Sequence, residues 1–305
     1  MAKLEVVSVG KSSPTTRRNR RLGLLFTAPW LIGFAIFTIY PFAASIVLSF
    51  TQYSVLSPPK FIGWSNYLDL FRDPLFWTSM YNTFYFAAFS VPLGAIIGVL
   101  LALLLNQDVK GLPVYRTVYY LPSIVPVVAS AIVWMWLLNP YYGIINAILE
   151  RFGIPGPGWI ADPAWSKPAL IIMSLWGVGN STLIYLAGLQ DVPVSLYESA
   201  DLDGAQAWHK TIYITIPMIT PTILFNVVMG LINAFQYFTQ AYIMTNGGPA
   251  DSTLFYSLYL YNNSFRYFKM GYASAQAWLL FIIIMFFTLL LLRSARHWVF
   301  YAGED

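Results

Sequence analysis

The sequence predicts an all-α polytopic membrane protein: six transmembrane helices, with a helical cytoplasmic loop between the fourth and fifth. Three observations carry that prediction. Of 305 residues, 58% are hydrophobic and only 10% are charged, against roughly 45–50% and about 25% in soluble domains. Six runs each reach the ~20 apolar residues that crossing the hydrocarbon layer requires, and none contains Asp, Glu, Lys or Arg. The one dense basic cluster, Arg17, Arg18, Arg20 and Arg21, abuts the first run. That is the flank of a membrane helix and not a nucleic-acid reader, which needs basic residues along one face of a polar domain. Cysteine is absent, which excludes disulfide scaffolds, thiolate metal sites and cysteine nucleophiles.

Residues 1–21 form a polar tail with little to bury, expected to be disordered and cytoplasmic. Within it Gly10-Lys11-Ser12 has the end of a phosphate-binding loop but lacks the Gly five residues earlier, where Glu5 stands, and lacks a flanking strand. The runs lie near Leu22–Phe50, Ser79–Leu105, Thr117–Leu138, Ala169–Leu189, Thr222–Met244 and Gly271–Leu292. The first is too long for the apolar stretch of a cleaved signal peptide and reads as a retained helix. Residues 22–78 then hold the first helix and an external loop, 79–293 a five-helix core, and 294–305 a second tail. Pro29, Pro41, Pro92, Pro122 and Pro126 should kink the first three helices, which a bundle tolerates where neighbours satisfy the freed carbonyls. Lys and Arg number eleven in the tails and even loops against six in the odd loops, so both termini are expected in the cytoplasm. Trp159 and Trp165 read as interfacial anchors, beside a short amphipathic piece at Ile144–Phe152.

Charge-free spans also bear on energy. Ion-coupled carriers place titratable groups at membrane depth, whereas all 13 carboxylates and both His, His209 and His297, fall outside the runs. The same distribution leaves no catalytic constellation at membrane depth, so the chain is expected not to be an enzyme, with no metal and no cofactor of its own. An ion-coupled secondary carrier and a non-transporting scaffold are the rival readings. Uphill transport would draw on a partner docking from the cytoplasm.

The loop from Gln190 to about Pro217 is suited to that. Ser195 and Glu198 have capping-box spacing, Asp203-Gly204 a turn, and Trp208 and Ile212 share a face of a second short helix. Glu198 either caps a helix or seats a partner. In the fifth run Asn226, Gly230, Asn233, Tyr237 and Gln240 fall in one stripe at 100° per residue, with Gln236 at its edge. In the fourth, Trp176, Gly177 and Asn180 lie together. These amides serve either a solute path or hydrogen bonds between helices.

The pattern Glu198, Ser199, Ala200, Gly204, Ile214, Ile216, Pro217 resembles the EAA loop of permease subunits in binding-protein-dependent ABC importers. Thr117–Asn146, Met244–Phe265 with its Asn-Gly-Gly-Pro, and Met270–Phe281 are similar to the carbohydrate branch, the maltose- and glycerol-phosphate-type permeases. The resemblance implies that this loop forms a coupling helix, with Glu198, Ser199, Ala200, Asp203, Gly204, Ala205 and Trp208 seating an ATPase. It implies a second homologous permease, two ABC ATPase subunits that bind ATP and Mg, an extracellular solute-binding protein received by the external loops, and a bacterial or archaeal cytoplasmic membrane. It also implies substrate contacts at Gly230, Ala234 and Tyr237. The expected substrate is a di- or oligosaccharide, with glycerol 3-phosphate as the alternative. Trp176, Gly177, Asn180 and Asn233 complete the expected substrate face.

Overall fold

The computed structural model describes residues 14–300. The Gly10-Lys11-Ser12 tripeptide and residues 301–305 lie outside them. The chain is mostly helical, and four helices are long and apolar enough to cross a membrane: Arg21–Ser49, Pro74–Leu105, Thr220–Met244 and Met270–Ala295. Two bent pairs, Leu112–Ile124 with Val127–Leu137 and Pro163–Trp176 with Gly179–Gln190, bring the number of spans to as many as six.

The helix containing the first span starts at Pro14, so the tail expected to lack structure up to residue 21 is helical over its last part. Pro14 is tolerated there because a first-turn N–H has no helical acceptor. This span passes through a widened turn at Ala35–Ile39, and no residue in its most apolar window is buried within the molecule. Only its far end is anchored, where Phe42 meets Trp278 edge-on at 4.7 Å and Ser45 accepts a bond from Trp278 Nε1 at 3.1 Å. Apolar side chains so exposed call for lipid or another protein against them.

A feature with no forecast in the sequence follows: an antiparallel hairpin, Thr51–Ser54 with Ser57–Phe61, pairing Thr51 with Phe61. Pro58 and Pro59 stand on its outer strand, where their missing N–H groups leave no ladder bond unmade. Its inner strand lies so close to the sixth span that a Cβ on Gly271 would collide with the Thr51 carbonyl oxygen. Helix Ser65–Arg72 holds the hairpin through buried Asn66, whose Nδ2 donates to the Ser49 and Thr51 carbonyls at 2.8 and 2.9 Å.

Asp73 then caps the second span, accepting from Leu75 N at 2.9 Å, which starts that helix at Pro74 and not near Ser79 as expected. The carboxylate also accepts from Tyr259 and, at 2.9 Å, from Tyr272. Burial raises its pKa, but the two hydroxyls and the N–H groups of Leu75 and Phe76 outweigh that and hold it below the usual carboxylate range. Burial, together with the same carboxylate, pushes Tyr259 up to about 12.

The third span departs most from expectation. Pro126 forces Val125 into an extended conformation (ψ 129°), and the two helical halves meet at 98° where one kinked helix over Thr117–Leu138 was expected. With 13 and 11 residues they reach only roughly 20 and 17 Å, each short of the ~30 Å layer. The fourth span bends by 47° at Gly177-Val178 and begins at Pro163, capped by Asp162, so Lys167 lies within its first helix. Helix Ile144–Arg151 matches the amphipathic piece. Trp159 corrects an expectation: it is 8% exposed and donates to Asn146 Oδ1 at 2.6 Å, making it a core residue and not an interfacial anchor.

Packing divides into two clusters. The larger, with Phe76, Phe86, Phe235, Phe255 and Tyr256, lies toward the end bearing the hairpin and the Asn246–Pro249 loop, the hairpin end. The smaller joins Ala102, Leu105, Tyr185, Leu189, Val192 and Ile219. It lies toward the tail end, where Phe300 N donates to Thr220 Oγ1 at 2.9 Å.

Candidate functional site

Between the two clusters, the second, fourth and fifth spans enclose a cavity of about 520 Å³, within the ~300–1,000 Å³ typical of small-molecule sites. Small residues make the room: Ser90 and Gly94 on the second span, Ser174, Gly177 and Ser181 around the bend of the fourth, and Gly230 on the fifth. Gly177 and Val178 end one helix and precede the next, so the bend itself turns Asn180 onto the cavity wall.

Of the residues expected to face substrate, Gly177, Asn180, Gly230, Asn233, Ala234 and Tyr237 all line this cavity. Trp176 does not. It is 40% exposed and meets Trp134 edge-on at 6.1 Å on the other side of the bend. The amide stripe of the fifth span is real from Asn226 to Asn233 but stops there, because the helix breaks over Gln236–Phe238. Neither Gln236 nor Gln240 lines the cavity. Asn226 spends one N–H on the Thr222 carbonyl at 3.0 Å.

Tyr237 closes the cavity toward the hairpin end. Its ring stacks on Phe86 at 4.1 Å and stands edge-on to Phe255 at 5.3 Å, while its hydroxyl is buried without a hydrogen-bond partner. A buried unpaired hydroxyl is costly. Asn180 and Asn233, by contrast, are exposed. The wall is therefore one side of a site. The serines of the second and fourth spans, which sequence reasoning missed, were signalled by small polar residues three and four apart within apolar runs.

At the tail end, helix Val194–Leu202 is followed by Ala207–Lys210 and a widened helical turn, Thr211–Thr215, leading toward the fifth span. The expected capping box does not form. Pro193 occupies the cap position, and having no N–H it cannot receive a side chain's reciprocal bond, so Ser195 lies inside the helix. The expected turn does form. Gly204 has φ +74°, and Ala205 N and Gly204 N donate back to the Ala200 and Asp201 carbonyls at 2.9 and 3.1 Å, closing the helix as left-handed glycine caps do.

Glu198, Ser199, Asp203 and Gly204 are exposed on this element, with Ala200 and Ala205 half-buried. Trp208 is 53% exposed, its ring stacked on His209 at 3.6 Å and its Nε1 bonded to Gln206 at 3.0 Å. Leu202 is 92% and Tyr213 70% exposed. On the inner side Tyr197 and Thr215 share a 2.9 Å hydroxyl bond, and Lys210 pairs with Asp201 at 2.7 Å. The two short helices thus form one unit fixed to the fifth span.

Residues 90–299, which carry this unit and the cavity lining other than Phe86, match the family described as binding-protein-dependent transport system inner membrane component. The chain belongs to that family. The permease is 42% identical over 97% of its length, and 97% of the relative's, to the probable ABC transporter permease protein YesP of Bacillus subtilis. It is 34% identical to the sulfoquinovosyl glycerol transport system permease protein SmoG of Agrobacterium fabrum, over 91% of each chain. It superposes on a chain of the bacterial alginate ABC transporter, crystallised with an alginate pentasaccharide-bound periplasmic protein. That match has a TM-score of 0.82 and 26% identity, covering 92% of the permease and 96% of that chain. The resemblance read from the EAA-type loop and the Asn-Gly-Gly-Pro segment therefore holds, and the permease is a multi-pass inner-membrane transport component.

Proposed function

We propose that the permease forms half of the translocation path of an ATP-driven importer for a di- or oligosaccharide, and that it works by alternating access. The observation that carries this reading is mechanical. The short-helix unit with exposed Leu202, Trp208 and Tyr213 is fixed to the span that supplies Asn226, Asn233 and Tyr237 to the cavity. Large apolar side chains exposed beside Glu198 and Asp203, at an end that faces no lipid in this reading, suit a protein partner. The partner is an ATPase subunit, one for this permease and one for a second, homologous permease whose own wall completes the site. Both termini are cytoplasmic, and the hairpin end faces outward toward the solute-binding protein.

Closure of the ATPases displaces Val194–Leu202, and the attached fifth span carries the displacement to the cavity. Docking drives transport only if the contacts differ between nucleotide states. A saccharide suits the cavity because the exposed amides of Asn180 and Asn233 meet its hydroxyls. The relatives transporting sulfoquinovosyl glycerol and alginate support a saccharide.

The test is ATP-dependent uptake of radiolabelled sugars by the complete assembly in proteoliposomes. Asn233→Ala or Tyr237→Ala is expected to lower uptake while the ATPase still co-purifies. Leu202→Asp combined with Trp208→Ala is expected to lose the ATPase. Unchanged uptake in the first pair removes the substrate-face assignment. Uptake that persists without ATPase and collapses with an uncoupler would establish a secondary carrier instead.

A further inference from the structure

A second cavity lies outside the translocation path. It measures about 1020 Å³ and sits at the hairpin end, where the first span stops and the second and sixth begin, beneath the hairpin. Its lining brings together the rings of Tyr267 and Tyr272, the carboxylates of Asp69 and Asp73 and the ammonium groups of Lys60 and Lys269.

These groups are not spent on one another. Asp73 and Tyr272 are bonded together, but Lys60, Asp69 and Lys269 form no ion pair among the described residues. All three are exposed, as is Tyr267 at 58%. The cavity thus offers free donors, a free acceptor and aromatic faces, with two positive and two negative charges in balance.

That chemistry discriminates between ligand classes. An anionic phospholipid headgroup would need net positive charge, which two carboxylates set against two ammonium groups do not supply. A saccharide hydroxyl both donates and accepts, so it pairs with a carboxylate and an ammonium alike, and its C–H face lies on a tyrosine ring. A wet cavity holding a few placed polar groups is the usual form of such a site.

We infer that this cavity is a second saccharide-binding site on the outer face of the permease, separate from the one between the spans. The inference rests on the sugar-import reading above.

Uptake assays with a panel of labelled disaccharides and trisaccharides first identify the transported sugar. If none is taken up, the import reading fails and this inference with it. The identified sugar is then titrated, by equilibrium dialysis, onto the assembled complex in nanodiscs without binding protein. Asp69→Asn and Tyr267→Ala, both at exposed side chains, are expected to weaken one class of site about tenfold or more, and Asn233→Ala to leave that class intact. Binding unchanged in the Asp69 and Tyr267 variants, with uptake intact, overturns the second site alone. A phospholipid that co-purifies with the native complex and is lost from those variants, without change in sugar binding, overturns it as well.

Discussion

The two ends of the permease are held together differently. At the hairpin end, hydrogen bonds link residues distant in sequence. Asn82 Nδ2 donates to the carbonyls of Asp251 and Leu254 while its Oδ1 accepts from Lys167, Tyr256 N donates to Thr83, and Ser166 meets Ser252. With Asp73 between Tyr259 and Tyr272, these tie the second, fourth and sixth spans and the loop after the fifth into one frame. At the tail end Phe300 N donates to Thr220 and Arg116 to the Leu105 carbonyl, but the spans themselves meet through close steric contact: a Cβ on Gly98 would come 2.8 Å from the Tyr185 ring, and one on Gly188 2.7 Å from Thr222 Oγ1. Directional bonds resist sliding, whereas packed small residues permit it. On the proposed mechanism, motion is expected at the tail end, where the ATPase is proposed to act, about a hairpin end that stays fixed.

Substitutions in the frame should show the largest effects on stability. Gly271→Ala drives a methyl group into the Thr51 carbonyl, and separating strand from helix should cost about 3 kcal/mol or more, read as loss of folded complex in detergent. Asn82→Ala leaves two buried carbonyls and Lys167 without their partner, about 2 kcal/mol, read in the melting temperature. Asp73→Asn removes a carboxylate whose pKa is depressed. The stability that carboxylate contributes is present above its unfolded pKa of about 3.9 and lost as pH falls through the lower folded value. The native protein should therefore lose stability below about pH 4 by a step that the Asn variant lacks. Gly230→Ala should change stability least, since its Cβ meets Val91 at an ordinary 3.6 Å. If the Asn82 variant instead melted as the native protein does, the frame would not be where the stability resides.

The contrast also explains what the sequence made legible. Span existence follows from apolar runs, because lipid imposes one requirement on every residue in them. The turn at Gly204 follows from glycine's freedom at positive φ, and the cavity stripe from Asn226 to Asn233 follows from helical periodicity. The breaks at Val125 and over Gln236–Phe238 escaped, since hydropathy does not register a change in chain direction. The hairpin escaped because no alternation marks Thr51–Phe61. Ser90 and Ser181 escaped because small residues matter here through the space they leave. Trp159 was misread because burial depends on Asn146, a partner thirteen residues away.

The absence of cysteine makes site-specific spin labelling direct, and one double experiment tests the account. Labels are placed through Ser199→Cys and Asp108→Cys at the tail end and, in a second sample, Leu56→Cys and Ala250→Cys at the hairpin end. Distances in the assembled importer are then measured with and without trapped nucleotide. The account predicts that the tail-end distance shifts by several ångströms, roughly the scale of packed-helix displacements, while the hairpin-end distance stays constant. A hairpin-end pair that moves while the tail-end pair stays fixed would contradict it.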